Sequence, residues 1–204
     1  MISSLLDVSR VIPVVTIDDP DHAVPVARAL LAGGIPVIEL TLRTPTAAES
    51  LSRIAQEVPE ILVGAGTVIT AAQADDAVAR GAQFLVSPGV SPGLLRHFLG
   101  LPVPFLPGVA TVGEMLTVLD AGVTELKFFP AGPAGGPSYL AAVAAPVPQV
   151  RFCPTGGVTP QNMSDYLALP NVGCVGGSWL TPRDLLAEHR WDEVARLAAA
   201  AVAD

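Results

Sequence analysis

The chain has 204 residues, half of them hydrophobic and only 15% charged, so it is long enough and apolar enough to bury one substantial core. This composition excludes a disordered chain, and the apolar runs are too short for a membrane-spanning helix, which needs about 20 residues. A net charge of −8 without any cluster of basic residues argues against nucleic acid or an anionic membrane as a partner, although a small anionic substrate still fits.

The N-terminal segment Met1–Asp7 lacks the basic and apolar regions of a secretory signal, so we expect a cytoplasmic protein. The two cysteines, Cys153 and Cys174, lie in apolar strand-like segments and are interpreted as buried free thiols rather than a disulfide. The three histidines are scattered and lack the spacing of metal ligands, so we expect no metal site.

One unit is repeated about eight times along the chain: a short β-rich run, a turn with glycine or proline, and an amphipathic stretch rich in alanine and leucine. The predicted strands are Val11–Ile17, Val37–Leu42, Ile61–Val68, Phe84–Val90, Pro104–Val109, Glu125–Pro130, Arg151–Thr155 and Val172–Gly176. The predicted helices are Asp21–Ala32, Thr46–Glu57, Ala71–Arg80, Pro92–Leu99, Val112–Ala121, Pro137–Ala144 and Pro160–Leu167, with a last helical region from Pro182 onward.

Proline and glycine mark the ends of several predicted helices. Ser91, Thr159 and Thr181 each precede a proline and are predicted helix N-caps. The predicted helix stops lie at Gly33-Gly34, Gly81 and Gly122. No segment resembles an interdomain linker, so we predict a single domain over residues 1–204.

Strict alternation of strands and helices implies a parallel sheet. Eight units favour a closed (β/α)8 barrel, the TIM barrel, although the chain is near the lower end of the length range for that fold. An open Rossmann-type sheet is the alternative. It is disfavoured because no Gly-x-Gly-x-x-Gly follows the first strand, where a dinucleotide-binding fold would carry it.

Lys127 is the only lysine of the chain, and it lies within the apolar run Glu125–Ala131. Burial removes water from an ε-ammonium group and so favours the neutral amine, which is the form that attacks a carbonyl to make a Schiff base. The alternative interpretation is a lysine whose side chain extends from a strand end to water.

A polar face lies on the predicted strand Val37–Leu42. With a period of two residues, Glu39, Thr41 and Arg43 share one side of the strand. In a barrel this side faces the interior, where unpaired charges are costly, so we predict a site that also contains Lys127. There Glu39 would transfer protons, Lys127 would act as the nucleophile and Arg43 would bind an anion. A simple Glu39–Arg43 ion pair is the alternative.

Glycine-rich segments follow the last two predicted strands. In barrels the corresponding loops often bind phosphate, because glycine lets backbone N–H groups approach the phosphate oxygens. We therefore predict a phosphate site at Gly156, Gly157, Gly176, Gly177 and Ser178, with the serine hydroxyl as a further donor. Tight turns without a ligand are the alternative.

Two further segments belong to the third and fourth predicted strands, towards the same end of the barrel. Gly64-Ala65-Gly66-Thr67 places the Thr67 hydroxyl near the mouth of the predicted site. Ser87-Pro88-Gly89 is compatible with either a turn or a pocket wall, which makes Pro88 a candidate pocket residue.

Six segments resemble, in order, the motif set of the bacterial 2-keto-3-deoxy-6-phosphogluconate (KDPG) aldolases, class I enzymes of which some also act on 4-hydroxy-2-oxoglutarate (KHG). The segments are Glu39–Thr44, Gly64–Val68, Ser87–Gly89, Lys127–Ala131, Arg151–Gly157 and Gly176–Trp179. The resemblance spans about Val11 to Trp179. It implies a cytoplasmic TIM barrel of the Entner–Doudoroff pathway, usually a homotrimer, that needs no metal or other cofactor.

The resemblance implies a role for each matching residue. Lys127 forms a Schiff base with the C2 ketone of the phosphorylated keto acid or of pyruvate, and Glu39 is the acid–base carboxylate. Arg43 and Thr67 hold the pyruvyl carboxylate. Pocket positions beside the imine fall on Phe129 and Thr155, and the phosphate end falls on Gly156, Gly157, Gly176, Gly177 and Ser178. The products are pyruvate with glyceraldehyde 3-phosphate, or with glyoxylate from KHG.

Some features leave alternatives open. The segment Ala131–Pro137 is richer in glycine and proline than the family pattern and has no acidic residue, whereas Leu42-Arg43-Thr44 favours the gluconate-type enzyme over phosphogalactonate aldolases. A phosphate-binding barrel with isomerase or decarboxylase chemistry, or one without catalysis, would use the same glycine loops. The sequence does not decide whether Arg10 or Arg28 reaches the phosphate.

Overall fold

The computed structural model describes residues 4–203. The predicted domain also includes Met1–Ser3 and Asp204, which lie outside the described residues; Met1–Ser3 is the start of the N-terminal segment Met1–Asp7. The strands are β1 Val11–Val15, β2 Val37–Thr41, β3 Leu62–Gly66, β4 Phe84–Val86, β5 Phe105–Leu106, β6 Gly108–Val109, β7 Glu125–Phe128, β8 Arg151–Pro154 and β9 Val175–Gly177. The helices are α1 Ala23–Ala32, α2 Ala47–Glu57, α3 Ala71–Ala79, α4 Pro92–Leu99, α5 Val112–Asp120, α6 Gly136–Ala144, α7 Met163–Leu167, α8 Arg183–Ala187 and α9 Trp191–Val202. A short 3-10 helix, Pro20–His22, precedes α1.

The described strands pair in parallel and form two sheets. The larger sheet has the order β5-β4-β3-β2-β1-β9, and the smaller has the order β6-β7-β8. Single bridges, Phe152 to Val172 and Thr155 to Gly176, connect the two sheets beside β9. The fold is therefore an α/β fold with a curled parallel sheet, and its strand order lacks the reversal of a Rossmann-type sheet.

The prediction of one strand over Pro104–Val109 is wrong, because this segment divides at Pro107 into β5 and β6. Proline has no backbone N–H and cannot continue a hydrogen-bonded ladder. β5 pairs with β4 and β6 pairs with β7, so the chain changes sheets at this residue. The Pro107 carbonyl accepts a hydrogen bond from the Lys127 backbone N–H at 3.0 Å, which anchors β7 at this crossing.

The C-terminal helical region also divides, into α8 and α9. Between them His189 has a φ of 54°, a left-handed conformation that a continuous helix does not contain. The predicted N-cap at Ser91 is confirmed, since its side chain accepts from the Leu94 N–H at 3.2 Å. The predicted caps at Thr159 and Thr181 are wrong: α7 begins only after Asn162, and α8 follows Pro182 without a side-chain cap.

The core lies between the sheets and the outer helices. All residues of β1 and β2 are buried, as expected for parallel strands covered on both sides. In α2 the buried residues Ala47, Leu51 and Ile54 recur with helical spacing and form one apolar face. The predicted glycine stops are confirmed, and both cysteines are buried and free. Within residues 4–203, no helix is long and apolar enough to cross a membrane.

Helices α3 and α5 both begin with a capping box, but the N3 residue is Gln73 in α3 and Glu114 in α5. In α3, Gln73 Oε1 accepts from the Thr70 N–H at 3.2 Å, and Thr70 Oγ1 accepts from the Gln73 N–H at 3.1 Å. In α5, Glu114 accepts from the Thr111 N–H at 2.9 Å and also from the Ala110 N–H at 2.8 Å. These hydrogen bonds, that from Ala110 above all, lower the pKa of Glu114.

We expect Glu114→Gln to remove a pH-dependent part of the stability. Because the Glu114 pKa is lower in the folded chain, its contribution is complete above the ordinary value of 4.5 and is lost as the pH falls through the folded pKa. Urea unfolding of wild type and variant should therefore show a difference in the free energy of unfolding that shrinks by about 0.5 kcal/mol on acidification.

The second capping box provides the reciprocal control. Gln73→Glu should introduce the same pH dependence at α3, because the side chain then gains a charge that the backbone N–H groups stabilise. A difference between wild type and Glu114→Gln that stays constant with pH would contradict this account of the cap.

Candidate active site

β2 and β7, which belong to different sheets, bring Glu39 and Lys127 together. Lys127 Nζ donates a hydrogen bond to Glu39 Oε1 at 3.1 Å, and each side chain is only 3% exposed. Lys127 therefore does not extend to water, and Glu39 pairs with Lys127 rather than with Arg43. A buried amine beside a carboxylate can exchange a proton without bulk water.

Small residues on neighbouring strands make room for this pair. A Cβ atom on Gly66, at the end of β3, would overlap the Glu39 carboxylate. Gly176 of β9 plays the same part for Thr155, whose hydroxyl occupies the space where a side chain at position 176 would lie. Neighbouring side chains thus approach Gly66 and Gly176 too closely for any larger residue to fit at these positions.

Phe129 and Thr155 each lie just past the end of a strand, and Phe129 packs beside the amine. The Phe129 ring centroid is 5.5 Å from Lys127 Nζ. Thr155 is buried, and its hydroxyl donates to the Cys153 carbonyl at 3.4 Å. Both residues line a small cavity of about 100 Å³.

Arg43 and Thr67 form a second pair at the mouth. Arg43 Nε donates to Thr67 Oγ1 at 2.9 Å. β2 ends at Thr41, so the prediction that Arg43 shares a strand face with Glu39 is wrong: Arg43 is exposed and lies in the following turn. Thr67 has a φ of 60°, which a β-branched residue rarely adopts and which costs about 1–3 kcal/mol. Such strained positions concentrate at functional sites.

Two adjoining cavities extend from this pair. The inner cavity of about 100 Å³ is lined by Phe129, Thr155, Gly156, Gly157, Val158 and Gly176. The outer cavity of about 550 Å³ is lined by Thr16, Thr181, Pro182 and Arg183. Val14, Arg43 and Ser178 line both cavities, which are therefore parts of one cleft.

The predicted phosphate residues divide between this cleft and its surroundings. Gly156 and Gly157 have φ values of 90° and 84°, left-handed conformations that glycine adopts without strain, and Gly176 and Ser178 also line the cleft. Gly177 lies instead against Trp179, where any side chain would overlap the indole ring. The roles of these residues stay predictions.

Pro88 lies outside this cleft. It follows β4, is half-buried, and lines neither of the two cavities. Its carbonyl lies against Gly108, where a Cβ atom would overlap it. Of the two interpretations of this segment, the structure favours a turn packed on β6, and a pocket role for Pro88 stays a prediction.

Three polar residues that line the cleft were not predicted from the sequence as site residues. Thr16 Oγ1 shares a hydrogen bond with Thr41 Oγ1 at 2.9 Å, and Thr181 and Arg183 lie beyond Ser178. The feature of the sequence that could have identified them is their position after the carboxyl ends of β1 and β9, because functional sites of parallel α/β folds form at these ends. By contrast, Arg10 precedes β1 at the opposite edge of the sheet, and Arg28 lies on α1.

Residues 4–203 hold no group of three or more His, Cys, Asp or Glu side chains placed to bind a metal ion. The groups that the site does offer are a buried amine, a buried carboxylate, a guanidinium, hydroxyls and glycine-rich backbone. The expectation that the protein works without a metal stays a prediction.

Comparison with known proteins identifies close relatives. The family model for KDPG and KHG aldolases matches residues 2–197. The KHG/KDPG aldolase of Escherichia coli (strain K12) is 48% identical over 199 residues, covering 98% of this chain and 93% of that protein. The KDPG aldolase of Legionella pneumophila, solved with pyruvate captured as a covalent carbinolamine intermediate, is 46% identical with a TM-score of 0.95, covering 97% of this chain and 96% of that one. The 2-keto-3-deoxy-6-phosphogluconate aldolase of Zymomonas mobilis ZM4, solved with 3-phosphoglycerate, is 42% identical with a TM-score of 0.91, covering 97% and 93%.

We expect the buried pair to be strongly coupled in stability. Lys127→Met leaves the Glu39 carboxylate buried without its partner, and Glu39→Gln does the same to the Lys127 ammonium. Each variant should therefore lower the free energy of unfolding by about 3 kcal/mol. The double variant should lose at least about 1 kcal/mol less than the sum of the single losses. Urea unfolding of the four proteins measures this coupling.

The exposed pair of Arg80 and Asp76, 2.7 Å apart, is the matched control. Arg80→Met and Asp76→Asn should combine with a coupling below about 0.5 kcal/mol, because water screens this pair. Additive losses at Lys127 and Glu39 would show that their contact does not determine the stability of the site.

Proposed function

We propose, because the chain belongs to the KDPG and KHG aldolase family, that it cleaves 2-keto-3-deoxy-6-phosphogluconate to pyruvate and glyceraldehyde 3-phosphate through a Schiff base on Lys127. The observation that carries this proposal is the buried contact of 3.1 Å between Lys127 Nζ and Glu39. KHG is a second substrate, cleaved to pyruvate and glyoxylate; the name of the E. coli relative supports it.

The reaction begins when the neutral Lys127 amine attacks the C2 ketone. Glu39 lies where it can take the ammonium proton and return it to the carbinolamine oxygen, which leaves as water and forms the iminium. Removal of the C4 hydroxyl proton, with Glu39 as the base, makes the new aldehyde. The C3–C4 bond breaks, and its electron pair moves into the iminium to give an enamine. Protonation at C3 and hydrolysis then release pyruvate and the free amine.

The cleft supports a division of the substrate between its two ends. We assign the Arg43 guanidinium, which donates a hydrogen bond to Thr67, to the carboxylate next to C2, since guanidinium binds carboxylates with two parallel hydrogen bonds. We assign Phe129 and Thr155 to the imine end, because the Phe129 ring lies 5.5 Å from Lys127 Nζ and both residues line the inner cavity. Gly156, Gly157, Gly176, Gly177 and Ser178 remain the proposed phosphate end; four of these five line the inner cavity.

We extend the proposal to the whole molecule. The strands close into one (β/α)8 barrel, and residues 1–204 form a single domain; the crossing at Pro107 and the bridges from β8 to the β9 segment support this closure. A homotrimeric assembly and a cytoplasmic location rest on the family resemblance. The imine on Lys127 supplies the electron sink, so the mechanism needs no metal.

Two other functions compete with this one. An isomerase or decarboxylase, or a phosphometabolite-binding barrel without catalysis, would use the glycine loops but would not require a buried amine paired with a carboxylate. Lys127→Met separates them, because only the aldolase loses all turnover while the fold is retained. Loss of activity with a chelator and recovery with a divalent cation would favour a metal-dependent aldolase instead.

We expect pyruvate and borohydride to trap the Schiff base on Lys127. Because the chain has one lysine, mass spectrometry of the intact protein distinguishes a single reduced pyruvyl adduct, and peptide mapping separates Lys127 from the N-terminal amine. Lys127→Met should give no adduct. An adduct confined to the N-terminus of the folded wild type would contradict the proposed mechanism.

We also expect Gly66→Ala to impair catalysis more than folding. The new methyl group would overlap the Glu39 carboxylate and displace it from Lys127, and misplacement of a catalytic group by about 1 Å costs about 100-fold in kcat. Gly113→Ala is the control, because a Cβ there meets no atom within 4 Å. Steady-state kinetics and thermal melting compare the two variants, and a Gly66→Ala enzyme with unchanged kcat would contradict the assigned role of Glu39.

A further inference from the structure

We propose that Arg183 and the Thr181 hydroxyl extend the phosphate subsite and make the enzyme favour the phosphorylated six-carbon substrate over KHG. This inference rests on the proposed function and adds a determinant of substrate specificity to it. Both residues lie in the segment that follows β9 and Ser178, and they line the outer cavity of about 550 Å³ together with Arg43. The resemblance that identified the site placed no role on either residue.

Thr181 supplies an unused hydrogen-bonding group. The residue is 5% exposed, and its Oγ1 has no hydrogen-bond partner within the described range 4–203. Buried hydroxyls without partners are rare, because their desolvation is not compensated. The hydroxyl does not cap α8, whose N-cap is Pro182. The oxygen itself is buried although the residue lines the outer cavity, so rotation about χ1 of Thr181 brings the hydroxyl to an anionic oxygen bound there.

The Arg183 guanidinium can exchange its present partner, Asp18, for a phosphate. Its Nη2 donates to Asp18 Oδ1 at 2.6 Å, but the two side chains are 65% and 60% exposed. An ion pair so exposed contributes little to stability, because water solvates both ions almost as well when they are apart. A phosphate dianion carries more charge than one carboxylate and matches the two-pronged guanidinium, so it competes effectively with Asp18.

Arg183 is the cation of the cleft that is available to bind the substrate phosphate. The chain has a net charge of −8, and Asp18 lies at the rim, so a trianionic substrate approaches against repulsion. Among the described residues that line the two cavities, the cations are Arg43 and Arg183. Arg43 is held by Thr67 and assigned to the carboxylate next to C2, so Arg183 is the cation available to the phosphate.

KDPG and KHG differ in length, and this difference allows Arg183 to discriminate between them. Lys127 holds C2 of either substrate at the same place. The distal carboxylate carbon of KHG is three bonds from C2, whereas the phosphorus of the phosphorylated substrate is six bonds away. Because Ser178 lines both cavities, a phosphate at the glycine-rich end of the inner cavity also borders the outer cavity and Arg183, whereas the distal carboxylate of KHG stops three bonds short of that position.

Arg183→Ala tests the inference with both substrates. We expect kcat/KM for KDPG to fall about tenfold to a hundredfold, mainly through KM, and kcat/KM for KHG to change less than about twofold. Inorganic phosphate should become a correspondingly weaker competitive inhibitor. Arg196→Ala is the control, because Arg196 is 64% exposed, pairs with Glu193 at 2.6 Å and lies on α9 outside the cleft.

Thr181→Val preserves shape and removes the hydroxyl, and it should raise KM for KDPG severalfold while KM for KHG is unchanged. Equal losses for both substrates, or no change in Arg183→Ala, would overturn the inference. If the wild type neither cleaves the substrates nor forms a pyruvate adduct, the proposed function has failed instead. Cleavage by wild type with unchanged selectivity in the variants refutes only the role of Arg183 and Thr181.

Discussion

Glu39 and Lys127, buried within hydrogen-bonding distance of each other, constrain how the two sheets can lie. Removing Glu39 and Lys127 from water costs several kcal/mol for each ion, and the attraction between them compensates only if the geometry is accurate. That geometry joins β2 of one sheet to β7 of the other, so the relative position of the two sheets is tied to the chemistry. Gly66 in β3 is part of the same constraint, because its missing side chain is the space that the carboxylate occupies.

Two irregular backbone positions support the same site. Pro107 moves the chain between sheets while its carbonyl holds the Lys127 backbone, and Thr67 accepts an unfavourable backbone conformation that places its hydroxyl against Arg43. Both features interrupt regular secondary structure, Pro107 between β5 and β6 and Thr67 directly after β3. The core and outer helices, which are buried and regular, supply the stability that tolerates these local costs.

The sequence was most informative where periodicity and burial act together. A lone lysine in an apolar strand and a glutamate on a polar strand face were sufficient to predict that Lys127 and Glu39 meet. Prediction failed where tertiary contacts decide, as in the turn that carries Arg43 and at the start of α8, which Thr181 does not cap. Arg183 was missed because an exposed arginine after a proline has the same local pattern anywhere on a surface.

The arginine-only surface has a practical consequence for handling the molecule. With every other cation a guanidinium, the only amines of the chain are the N-terminus and the Lys127 ε-amine, which is 3% exposed. Reagents that acylate amines therefore find no surface lysine for labelling, cross-linking or attachment to a support. An acyl group found on a lysine therefore marks the candidate active site itself, and peptide mapping separates this adduct from one on the N-terminal amine.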